Sequence, residues 1–367
     1  MNPNTVSIPR PVQIWLFIGV VLVFFQVVIG GVTRLTDSGL SITEWSVIQG
    51  TLPPLNETEW EAAFEAYKQA AQKQYLTLHA DMDMQEFKFI FFWEYFHRLW
   101  ARMMGFVFIL PFLFFLWKKW MPNWLLRRLG VVIILALAAA IFGWIMVKSG
   151  LNDDTRTWVS AYKLIIHLGI ATSLFAYLFW TWLKTYQPLP AAPELSGLKK
   201  ISWGITAILF LQILLGGLMA GMRAGLVHPY FPFFVEGQRL YSLLGEVSTT
   251  NLSNFIDYEP SGSVKGIVQI LHRGVAYLLV GLVIWLFTLL RRRVDTPQTQ
   301  LGAWLLLSMV LVQFLLGVLT IINSIGKVPV SYGVMHQGGA LILLVILLYV
   351  NYQFKSTASP QPEVTEI

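Results

Sequence analysis

Apolar residues in this chain do not alternate with polar ones. They run together in eight blocks near 12–33, 97–117, 127–147, 161–183, 202–222, 267–290, 302–323 and 331–353. Each block is about 20 residues long, the length that crosses a bilayer as helix. Backbone groups in lipid must be satisfied internally, and runs without a two-residue period do so as helices rather than as barrel strands. The pattern predicts an all-α integral membrane protein with eight transmembrane helices.

Composition agrees: 56% of the residues are hydrophobic and 13% charged, too apolar a balance for a water-soluble fold of 367 residues. Basic residues collect in alternate connections, at Lys118, Lys119, Arg127 and Arg128, at Lys184, Lys199 and Lys200, and at Arg291–Arg293. The longer connections hold most acids, among them Glu57, Glu59, Asp81, Asp83, Asp257 and Glu259. The positive-inside rule then predicts both termini in the cytoplasm and the long loops outside, in a bacterial cytoplasmic membrane. The net charge of +6 reads as this orientation signal, with no nucleic-acid partner expected. The first apolar run is too long for a cleavable signal. The chain has no cysteine, which excludes disulfides, thiol chemistry and iron–sulfur clusters.

The blocks repeat. Gln26-Val-Val-Ile-Gly30-Gly31 in the first span resembles Gln212-Ile-Leu-Leu-Gly216-Gly217 in the fifth, and the same shift pairs Gly39-Leu40 with Gly225-Leu226. His97-Arg98 pairs with His272-Arg273, and His167 and Gly169 pair with His336 and Gly338. Spans one to four and five to eight are thus two pseudo-symmetric four-helix bundles, parallel repeats about an axis along the membrane normal. The expected organisation is a tail at 1–11, a first repeat over 12–185 with a long outward loop at 35–95, a linker at 186–200, a second repeat over 201–354 and a tail at 355–367. The glycine pairs either let helices approach or make room for a flat macrocycle.

Histidine is costly in a membrane helix. His97, His167, His272 and His336 come two per repeat, on non-adjacent helices near their outward ends. Two opposed imidazoles across a four-helix bundle suit the iron of a heme, whereas zinc or copper would want three or four ligands in one cluster. Arg98, Arg102 and Arg273 follow the histidines, and Arg34 and Arg223 close spans one and five. Their guanidinium forks suit heme propionates, with interfacial snorkelling as the competing role. Glu94 precedes His97 by three residues, where the second repeat has Gln269 before His272. A carboxylate can accept a proton or stabilise a developing cation and an amide cannot, so the first repeat reads as reactive and the second as holding a resident heme. The competing role for Glu94 is an ion pair with Arg98. His79 and His228 read as exposed loop residues. Residues 56–75 read as an amphipathic helix capped at Asn56 or Thr58, with Trp60, Phe64, Tyr67 and Ala71 on the face that covers the bundle. The loop near 224–265 is expected to cap the other half.

The ordered set GGVTRLTDSGLSITEW, EYFHRLWAR, HLGIA, HRG and HQGGA closely resembles the heme A synthase family across about 12–353. The resemblance implies oxidation of the C8 methyl of heme O to the formyl of heme A, with His97 and His167 bracketing the substrate and His272 and His336 ligating heme b. Glu94 matches the family's functionally important acid. It also implies dealings with heme O synthase (protoheme farnesyltransferase), cytochrome oxidase assembly factors, an unidentified electron acceptor and membrane lipid; wide apolar faces allow a homo-oligomer. Some relatives carry a cysteine pair in an outward loop; this chain resembles the cysteine-free branch. The expected chemistry takes the formyl oxygen from water, with Glu94 stabilising a cationic carbon. A diheme b-type electron-transfer cytochrome is the rival reading, although four histidines at one depth suit transmembrane conduction poorly. A transporter is a weaker one, because charges deep in the spans are scarce.

Overall fold

The computed structural model describes residues 8–43, 52–151, 157–187, 196–232, 234–235, 238–239 and 251–354. Residues 1–7 and 355–367 of the two predicted tails, the Glu44–Trp45 end of the first-loop motif, residues 188–195 of the linker and most of 233–250 in the second loop lie outside them. Among the described residues eight long helices cross the molecule: α1 (Arg10–Leu35), α4 (Met84–Trp117), α5 (Asn123–Lys148), α6 (Ala161–Tyr186), α7 (Ser196–Gly221), α9 (Gly262–Arg293), α10 (Pro297–Ile322) and α11 (Val330–Gln353). All eight are long and apolar enough to span a membrane. Three short helices, α2 (Glu57–Ala70), α3 (Gln72–Leu78) and α8 (Leu252–Ile256), sit in the two long loops. The second loop adds a two-residue antiparallel pair, Phe234–Val235 with Gln238–Arg239.

α4 and α9 start earlier than their apolar blocks suggest, at Met84 and Gly262 rather than near 97 and 267. Hydropathy registers only the part that faces lipid. The leading turns carry charges but are well started: Asp83 and Glu86 form a reciprocal capping box, and the Ser261 hydroxyl accepts from Val264 N–H. His97 and His272 therefore sit well inside long helices rather than at their ends.

α1, α4, α5 and α6 form one bundle and α7, α9, α10 and α11 the other, joined along α1, α6, α7 and α11. The repeat is visible in the backbone. Asp37 and Arg223, equivalent positions just beyond α1 and α7, are both left-handed, with φ of 57° and 49°. They also bind each other, so the pseudo-twofold axis passes through an ion pair. Glycine lets the bundles meet: a Cβ at Gly221 would lie 2.7 Å from Ala161 Cβ, and one at Gly31 2.0 Å from Gln337 Oε1. Gln337 uses that room to donate to Val27 O across the seam (2.9 Å).

The large apolar core, which includes Leu16, Leu125, Leu286 and Leu306, fills both bundles away from the long loops. At the long-loop end, α2 and α3 cover the extension of α4 as expected. Phe64 stacks on Phe87 (4.7 Å between centroids), Trp60 meets Phe91, and Tyr67 and Ala71 are buried. Asn56 caps α2, accepting from Glu59 N–H (2.9 Å) while donating to its carboxylate. The second loop does more than cap its own half. Glu259 accepts from Thr157 N–H and Oγ1, and Tyr258 Oη accepts from Ala161 N–H, so it also straps the start of α6 in the first bundle.

Candidate functional site

Each of the four histidines faces a glycine on the neighbouring helix. A Cβ built at Gly30 would lie 3.1 Å from His97 Nε2, at Gly143 3.0 Å from His167 Cε1, at Gly216 3.4 Å from His272 Cε1 and at Gly317 3.0 Å from His336 Cε1. The first glycine of each Gly-Gly pair thus receives an imidazole, and the second lets the bundles approach. Close approach of helices, one of the two roles left open by the sequence, is therefore present at Gly31 and Gly217.

The same cradle carries a clamp one turn earlier. Gln26, Gln212 and Gln313 each precede their glycine by four residues and donate to the backbone carbonyl of the facing histidine, at 3.3, 2.9 and 2.8 Å. Gln313 also lies 3.1 Å from His336 Nδ1, and Gly339 makes room for it. α5 has Ala139 at this place, and His167 Nδ1 instead meets the Ala139 carbonyl at 2.9 Å. The Gln26 and Gln212 motif is visible in the sequence; Gln313-Gly317 and Ala139-Gly143 pass unnoticed until the helices face each other.

In the second bundle the rings of His272 and His336 lie 6.3 Å apart, nearly perpendicular at 81°. Two imidazoles on either side of one metal atom, with metal–nitrogen bonds of about 2 Å, hold their centroids about 6 Å apart. His272 Nδ1 is buried without a protein partner. In the first bundle His97 faces Gly30 of α1 and His167 faces Gly143 of α5. Among the described residues no three His, Cys, Asp or Glu side chains gather as a metal cluster, so each pair stands by itself.

Glu94, 3% exposed, pairs with Arg98, as its competing reading anticipated, but it has further partners. Its Oε2 accepts from Ser41 Oγ and Ile42 N–H, both at 2.8 Å, and Arg98 also donates to Ile42 O. In the second bundle Gln269 and Arg273 donate to His228 O, at 3.0 and 3.2 Å, and Arg273 reaches Tyr230 O and Pro232 O. His228 is the repeat counterpart of Ile42. The two acid-or-amide positions therefore pin equivalent points of the two long loops over the histidines. The carboxylate receives N–H and O–H donors; the amide gives its proton to a carbonyl.

Other expected residues fall elsewhere. Arg34 lies at the seam, donating to Ala220 O (2.8 Å) and Gly221 O and pairing with Asp37. Arg223 lies over Trp158 at 4.1 Å. Arg102 is half-buried one turn beyond Arg98. The reading of His228 and His79 as exposed loop residues is corrected. His228 is buried beneath its loop, because its carbonyl is the point to which Gln269 and Arg273 tie. His79 is half-buried, its Nδ1 2.6 Å from Tyr67 Oη. Burial pushes the His79 pKa down and that of the Tyr67 hydroxyl up.

These features define a multi-pass membrane protein of two four-helix bundles, each presenting two imidazoles in glycine cradles. A family model described as cytochrome oxidase assembly protein matches residues 13–348. The heme A synthase of Flavobacterium psychrophilum is 39% identical over 94% of this chain and 98% of its own length. That of Nitrosospira multiformis is 40% identical over 95% of each, and that of Caulobacter sp. strain K31 38% identical over 91% of this chain and 93% of its own. The chain belongs to the heme A synthase family.

Proposed function

We propose that this protein oxidises the C8 methyl of heme O to the formyl group of heme A in the first bundle, while the second bundle holds a resident heme b. Family membership supports the reaction. The unequal loop anchors support the division of labour. The observation that carries it is the buried Glu94 carboxylate beside His97, where the otherwise equivalent second bundle has neutral Gln269.

The His272–His336 pair suits a bis-imidazole heme: its ring separation is right, an imidazole nitrogen lies buried without a protein partner, and Gly216 and Gly317 leave no side chain between ring and neighbouring helix. Such a heme supplies one-electron redox chemistry when bound. Gln212 and Gln313 hold the carbonyls of the two ligating residues, fixing where the imidazoles project.

His97 and His167 bracket the substrate macrocycle. Converting a methyl to a formyl with oxygen from water releases four electrons and four protons, so the reaction needs an external acceptor; a chain without cysteine offers no thiol relay. Glu94 acts from a fixed place. Its Ser41, Ile42 and Arg98 partners hold it as an acceptor, and it stabilises positive charge developing at the reacting carbon. The alternation of basic connections supports a reading with both termini in the cytoplasm and the histidines toward the outer face, where heme O synthase products and oxidase assembly factors would meet the site.

Expressing the full chain in membranes that accumulate heme O tests the reading. Heme A should appear in the extracted pigments. Pigments that stay as heme O and heme b would instead fit a diheme electron-transfer cytochrome.

A further inference from the structure

The two bundles differ in one seam. α9 packs along α10, whereas their counterparts α4 and α5 barely meet. Residue identities explain it. Aligning α5 with α10 on Gly143 and Gly317 sets Ala140 against Phe314 and Ala136 against Val310. Phe314 lies 5.8 Å from the Tyr277 ring of α9 and 6.2 Å from Phe231 of the second loop, and Val310 is buried. Half-buried Phe314 fills the α9–α10 seam beside Tyr277 and Phe231, whose side chains remain 36% and 40% exposed, and Arg273 holds the backbone on either side of Phe231. In the first bundle Ala140 and Ala136 are exposed, and the position of Tyr277, five residues after the histidine, is Arg102. The counterpart of Phe231 is Trp45, outside the described residues.

The open seam leads to the histidines. Ala140 adjoins Ala139, whose carbonyl holds the His167 ring, and Arg102 stands little more than a turn past His97. A resident cofactor needs a shut wall; a substrate that arrives and leaves needs an open one. We propose that heme O reaches His97 and His167 sideways from the bilayer, through the cleft between α4 and α5 at Ala136 and Ala140, with Arg102 at the rim meeting its carboxylates. This rests on the assignment of the first bundle as the substrate site. An apolar macrocycle dissolved in lipid then never crosses water, and a guanidinium is the group that grips a carboxylate as it passes.

The experiment uses the purified full-length protein carrying its resident heme. Heme O capture is followed by absorbance after mixing, and resident heme loss by transfer to a heme-scavenging globin. Ala140→Phe should slow capture by about ten- to a hundredfold, the span over which rates respond to changes at one interface. The resident spectrum should be unchanged. Phe314→Ala should speed resident heme loss by a comparable factor, and His97→Ala should abolish capture. Capture at the wild-type rate in Ala140→Phe, with none in His97→Ala, would overturn the route and leave the site standing. Wild-type capture in His97→Ala would mean that the underlying site assignment had failed. If Ala140→Phe does not fold, Phe314→Ala decides: unaltered loss of resident heme would remove the plug from the account.

Discussion

At the scale of single residues, chemistry and support are separable. Glu94 and Gln269 occupy one position of the repeat and pin one position of the loops, yet only Glu94 brings charge. Glu94→Gln keeps a partner for Arg98 and a loop anchor, so it should retain pigment while heme A formation falls by about a hundredfold, the scale of removing one electrostatic stabiliser. Pigment analysis of membranes reads both quantities, and normal heme A content would remove Glu94 from the chemistry. The glycine cradles make a different prediction. A methyl at Gly317 would come 3.0 Å from His336 Cε1, so Gly317→Ala should shift the resident heme spectrum without loss of the fold. An unchanged spectrum would show that the ring has room to give.

At the scale of elements, the amphipathic cap over the first bundle carries its own test. Asn56→Ala removes the α2 cap and should cost about 1 kcal/mol of local stability, read as faster proteolysis between α1 and α4. His79 gives the cap a pH dependence. Its pKa lies below the ordinary 6.5 because burial disfavours its charged form. The unfolded segment therefore binds a proton that the folded cap resists, and stability present above pH 6.5 declines as pH falls below it. Proteolysis of the cap should accelerate at pH 5 relative to pH 7.5, and His79→Gln should flatten the difference.

The spans, the cap and the His272–His336 pair were legible in the sequence because each rests on local pattern: apolar run length, helical spacing, or a motif repeated at a fixed shift. The length of α4 and α9 was less so, since their polar leading turns look like loop to any measure of hydropathy. The burial of His228 was not legible at all, for it depends on Gln269 and Arg273 reaching its carbonyl from a distant helix. Ala140 opposite Phe314 acquires meaning only once α5 and α10 are seen as one helix of the repeat.

At the scale of the whole molecule, one scaffold is used twice with a different lock on each copy. Small residues draw the copies together, and Gly221→Val should weaken that seam. Its side chain would meet Ala161 Cα at under 3 Å, an overpacking that costs about 1–3 kcal/mol and should lower the melting temperature of the detergent-solubilised protein. The division of labour between copies is the central claim, and pigment analysis of the purified His97→Ala protein tests it most directly. Heme b at wild-type content with its spectrum intact, and no heme A, is the expected result. Loss of heme b from that variant, or heme A made at the normal level, would contradict it.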